Sequence, residues 1–90
     1  MMNDTWTVER VVEVIRSLAL EEDLPAHLST SAIAGTDTVE TLGIDSLGGA
    51  YLIERLEETI GIQMPDDFLA PEDDVAKIAK RLNDLVEAGG

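Results

Sequence analysis

The sequence predicts an all-α domain of three main helices and one short one, and three observations carry that prediction. Apolar residues recur at three- and four-residue spacing in three separate stretches, the signature of a helix with one buried face. Aromatic residues make up only 3% of the chain, so the core must be built from Leu, Ile, Val and Ala, which suit packed helices better than a sheet. Between the apolar stretches lie clusters of Pro, Gly, Ser and Thr, where helical periodicity stops. Ninety residues are enough for one domain, spanning 1–90, with one modest core.

The first helix is predicted at about residues 5–20. Asp4, Thr5 and Thr7 are candidate caps, and Val8, Val11, Val12, Ile15, Leu18 and Ala19 form its apolar stripe, with Trp6 as an anchor ahead of it. Residues 21–43 read as a long loop that needs its own anchors, supplied by Leu24, Leu28, Ile33, Val39 and Leu42, with room for a short helical turn inside it. The second helix is predicted over 45–60, closed by Gly61. A short helical turn is expected at 66–69. The last helix is expected over 73–87, led by the acidic run Pro71-Glu72-Asp73-Asp74, which reads as a solvated helix start.

Charge narrows the function. The formal net charge is −13, from 6 basic and 19 acidic side chains, which argues against nucleic acid or an anionic membrane as a partner. It fits docking onto basic patches of other proteins. The acids are concentrated, with eleven between Asp37 and Asp74 against the single base Arg55. No stretch approaches the roughly 20 apolar residues of a membrane span, and no signal peptide is read, so the expected location is cytoplasmic. Cysteine is absent, and the acids at Asp66, Asp67 and 72–74 lack the spacing of a calcium loop, so no metal site is expected.

The second helix holds the chemistry. Advancing about 100° per residue places Gly49, Leu52, Ile53, Leu56 and Ile60 on one face, the predicted core face, with Gly49 expected at a close helix crossing. Gly48 lies off that face, where it would leave the backbone beside Ser46 open. The opposite face gathers Leu47, Tyr51, Glu54 and Glu58, apolar groups beside carboxylates, as an interaction surface requires. Ser46 stands at the helix start, where serine is a common cap, a role equally open to Asp45. No general base or nucleophile elbow accompanies it, and His27 is read as a loop residue. The helix N-terminus does favour a phosphate ester.

The run Leu42-Gly43-Ile44-Asp45-Ser46-Leu47 resembles the modification motif of acyl carrier proteins. The likeness continues through the acidic helix with Leu56-Glu57-Glu58, then Gly61-Ile62, Met64-Pro65-Asp66 and a valine-led last helix at Val75. The resemblance implies a right-handed helical bundle and covalent 4′-phosphopantetheine, taken from coenzyme A and placed on Ser46 by a phosphopantetheinyl transferase. Asp45 and Leu47 would flank the attachment point, and acyl groups would ride on the arm as thioesters. It implies no catalysis by the carrier itself, which would work as a free-standing monomer. Its partners would be an acyltransferase or acyl-activating ligase and a ketosynthase or other acyl-processing enzymes. Docking would fall on Gly48, Tyr51, Glu54, Glu57 and Glu58.

The chain departs from the fatty-acid carriers at Gly48, Tyr51 and Glu54, which directs the expectation to a specialised polyketide or mixed polyketide–peptide pathway. Service in fatty-acid synthesis and an aminoacyl or peptidyl cargo are the alternatives, although Gly43-Ile44-Asp45 is nearer the acyl type. A more distant reading is a non-covalent acidic adaptor in which Ser46 is merely a cap.

Overall fold

The computed structural model describes residues 5–65 and 68–89 and is helical throughout, with no strand among the described residues beyond one isolated bridge between Thr38 and Asp74. The main helices are α1 (Val8–Leu20), α2 (Ser46–Ile60) and α3 (Val75–Gly89), and a short 3₁₀ helix, Ala26–Ser29, lies in the long loop. α1 is the central element and packs against the 3₁₀ helix, α2 and α3.

Each main helix begins where a side chain can accept a free N–H. α1 starts at Val8 because Thr7, in extended conformation, accepts from the Arg10 N–H at 3.2 Å. α3 starts at Val75, two residues beyond the predicted 73, because Asp74 stays outside the helix and accepts from the Lys77 N–H at 2.8 Å. α1 ends in a paired motif, Glu22 N–H to Ala19 C=O and Asp23 N–H to Leu18 C=O, which places Glu22 at φ 70°, a conformation that favours glycine. α2 ends at Gly61 with φ 73°, where glycine meets no such penalty. The short turn expected at 66–69 falls partly on Asp66 and Asp67, outside the described residues; the Phe68 N–H bonds to Pro65 C=O at 3.1 Å.

The apolar stripes converge on one core. Val11, Ile15, Leu18, Leu52, Leu56, Val75, Ile78 and Leu82 are fully buried, each contributing about 1.5–3 kcal/mol by leaving water. The loop anchors Leu24, Leu28, Val39 and Leu42 are buried as well, and Ile33 is half-buried. The end of the long loop is further tied by backbone bonds to the segment before α3, with Val39 N–H to Asp73 C=O, Glu40 N–H to Pro71 C=O and Val75 N–H to Asp37 C=O. This seam fixes residues 37–44, which lead directly into Ser46. At the other side of the bundle, Trp6 is buried and exchanges two hydrogen bonds with the Asn83 side chain, while Arg10 stacks 4.0 Å above its ring.

The core face of α2 is rotated from the expected one. Gly48, Leu52 and Leu56 are buried, whereas Gly49 is not and Ile53 and Ile60 are half-buried at the margin. Gly48 is the glycine at the close crossing: a Cβ there would lie 2.8 Å from Leu24 Cδ2 and 3.3 Å from Ile44. The expectation of Gly48 on an accessible docking face is therefore corrected. The segment returning from α1 presses Leu24 against it, a contact that periodicity within α2 cannot reveal.

Candidate functional site

Asp45 decides the local chemistry of Ser46. Its extended backbone makes it the N-cap of α2, and its carboxylate accepts from the Gly48 N–H at 2.8 Å. Ser46 is thereby the first residue of the helix and not its cap. Its side chain is exposed, and its hydroxyl bonds to no described residue. The Gly49 N–H is taken by Asp45 C=O at 2.8 Å, so the first amides of the helix, Ser46 and Leu47, remain directed outward with the positive end of the helix dipole. An anionic ester on Ser46 fits that environment.

Ser46 also belongs to the lining of a groove of 640 Å³. One wall is α2 itself, through Gly49, Ala50 and Ile53; the other is Leu69, Ala70 and Pro71; Val39 and Ile44 supply apolar surface between them. The second wall is held in place from behind. Asp73, only 2% exposed, accepts from the Ala70 N–H at 3.0 Å and from Arg81 at 2.6 Å, and Arg81 also donates to Phe68 C=O at 2.7 Å. The acidic run before α3 is thus not uniformly solvated. Asp73 turns inward because Arg81, two turns along α3, offers it a charged donor, a pairing the sequence signals only as an acid and a base eight residues apart.

The expected docking residues divide. Leu47 is 62% exposed, Glu54 and Glu58 are exposed, and Tyr51 is half-buried on the same side of α2. Glu57 is half-buried and has an internal task, accepting from the Met64 N–H at 2.7 Å and so pinning the link after α2. Arg55, the single base of this region, is engaged by Glu21 at 2.5 Å, with Glu58 at 3.9 Å, and also donates to Ser17 at 3.2 Å. Its hydrogen bond with Arg55 is the main reason the Glu21 carboxyl lies below its usual range, and the same bond raises the Arg55 guanidinium. The outward side of α2 therefore presents acids and apolar side chains with its one positive charge already paired. His27 is exposed in the 3₁₀ helix.

The site is thus an exposed serine at a helix N-terminus in a small helical bundle, with an apolar groove beside it, a setting that can accept a tethered group. Comparison with known proteins agrees. The family described as "Phosphopantetheine attachment site" matches residues 13–82, most of the chain. An acyl carrier protein homolog from Ureaplasma parvum serovar 3 is 33% identical over 78 residues, covering 87% of each chain. No solved structure matches. The chain belongs to the phosphopantetheine-binding acyl carrier protein family, whose prosthetic group is 4′-phosphopantetheine.

Proposed function

We propose that Ser46 is the attachment residue and that this protein carries acyl intermediates between partner enzymes. The observation that supports it best is the cap: Asp45 takes the structural role at the start of α2, leaving the Ser46 hydroxyl exposed, unbonded and on the edge of the groove. In the loading step Ser46 Oγ attacks the pyrophosphate of coenzyme A. An Oγ–P bond forms, the bond to the 3′,5′-ADP portion breaks, and the hydroxyl proton passes to a base of a phosphopantetheinyl transferase. The transferase supplies that base; among the described residues, the titratable side chains lining the groove are Glu40 and Asp45, and Asp45 is engaged as the cap. When bound, the arm supplies a terminal thiol that holds acyl groups as thioesters.

The chain's own residues bind and orient. Asp45 and Leu47 frame the serine, and the Ser46 and Leu47 N–H groups at the helix start would be available to the ester. Leu47, Tyr51, Glu54 and Glu58 meet the partners, with acids steering basic surfaces and apolar groups completing the contact. With Gly48 internal and Glu57 pinned to Met64, the distinctive part of this face narrows to Tyr51 and Glu54. These two support a specialised polyketide or mixed polyketide–peptide pathway, with an acyltransferase or ligase and a ketosynthase as partners, and the carrier performing no catalysis itself.

Incubation with coenzyme A and a broad-specificity transferase should increase the intact mass by one phosphopantetheine, and Ser46→Ala should abolish the addition. A wild-type protein that takes up nothing from several transferases would return Ser46 to a plain helix start and leave a non-covalent adaptor.

A further inference from the structure

Nothing among the described residues requires glycine at Gly49. A Cβ built there would meet no described atom within 4 Å, its φ is not in the left-handed region, and it lies inside α2, where glycine is less favourable than alanine. Gly48 beside it is different, being enclosed by Leu24 at 2.8 Å. One glycine is demanded by packing and the other is not.

The groove supplies what packing does not. Gly49 lines it together with Ser46, one helical turn earlier. A second hollow, of 390 Å³, adjoins the first by sharing Ala50 and Ile53 and continues past Glu54 and Glu57 to Gln63 and Met64. Together they form a track along one face of α2, and the rise from Ser46 to Glu57 is about 16 Å. Apolar surface dominates near the serine, while carboxylates and an amide stand at the far end, a sequence that suits a flexible chain of methylenes and amides. A chain leaving Ser46 Oγ along this track passes Gly49 before any other α2 residue of the lining.

We propose that Gly49 is a specificity-determining residue whose missing side chain is the clearance that lets the pantetheine chain tethered at Ser46 lie in the track along α2. The proposal rests on Ser46 being the attachment residue. Glycine here lowers helix stability and keeps the entrance to the track open.

Isotope-labelled wild type, Gly49→Ala and Gly49→Leu are compared before and after loading with excess transferase, with intact mass reporting completeness. Unloaded Gly49→Ala should melt about 3–6 °C above wild type, since alanine favours the helix and meets no neighbour. Loading should move the amide resonances of Ala50, Ile53 and Leu69 in wild type, and these movements should shrink by at least half in fully loaded Gly49→Leu. A lower melting temperature for Gly49→Ala, or undiminished movements in Gly49→Leu, overturns the clearance. Wild-type movements confined to residues 45–47 overturn it as well while leaving the attachment residue intact. A wild type that takes up no arm overturns the attachment residue first and the clearance with it.

Discussion

Two acidic stretches of this chain look alike in sequence and behave in opposite ways. In the run Glu72-Asp73-Asp74 the first acid is exposed and the other two are drawn into the fold: Asp73 is buried against Arg81 and holds the groove wall, and Asp74 caps α3. Along α2, Glu54 and Glu58 are exposed, and among the described residues no bond stronger than the 3.9 Å contact of Glu58 with Arg55 occupies them. Acids committed to internal partners stabilise the molecule, whereas acids left in solvent are available to other molecules. Charge count does not separate the two; the position of an internal donor, a guanidinium for Asp73 and a backbone N–H for Asp74, does.

Arg81→Ala is the strongest way to break this contrast. It leaves the interior Asp73 carboxylate with the Ala70 N–H and a 3.9 Å contact to Lys77, and should cost about 3 kcal/mol by urea unfolding, at the lower end for a broken internal pair because those contacts remain and Arg81 itself is partly exposed. A loss below about 0.5 kcal/mol, the scale of ordinary surface changes, would place both acidic stretches in the same class. Asp45→Ala removes a cap and should cost about 1 kcal/mol, while amide exchange at Gly48 accelerates.

The Glu21–Arg55 pair tests the boundary between the stretches by pH. Because the Glu21 carboxyl is held below its ordinary value, its contribution is present above the usual carboxylate range and is lost as pH falls through the lowered value. Glu21→Gln should therefore be less stable than wild type at neutral pH, and the two unfolding curves should converge in acid. Convergence at neutral pH instead would show that the pair contributes nothing. The smallest stability change is expected for Glu54→Gln with Glu58→Gln, within about 0.5 kcal/mol, yet loading by a transferase with a basic docking surface should become slower and less salt-sensitive. An unchanged salt dependence would remove these acids from the docking face.

Much of this was legible beforehand because it depends on local period and local chemistry. The three stripes placed the helices, Gly61 marked an end that only a left-handed residue closes easily, and Asp45-Ser46 marked a start. What escaped depends on contacts between distant segments. Leu24 pressing on Gly48 rotated the core face of α2 and exchanged the roles expected for the two glycines. Arg81 drew in Asp73, and the Met64 N–H recruited Glu57, neither of which is visible from an acid's own neighbours. The 3₁₀ helix at Ala26–Ser29 was anticipated only as a turn somewhere in a long loop, since four residues are too few to show a period.

The single tryptophan and the single tyrosine stand in different parts of this molecule. Trp6 is locked to Asn83 beneath Arg10 in the α1–α3 packing, whereas Tyr51 is half-exposed on the outward side of α2. The chain thus contains its own pair of optical reporters. Indole emission follows integrity of the bundle, and phenol absorbance follows events on the outward side of α2, so unfolding and binding at the proposed docking face can be watched separately in one cuvette without a label.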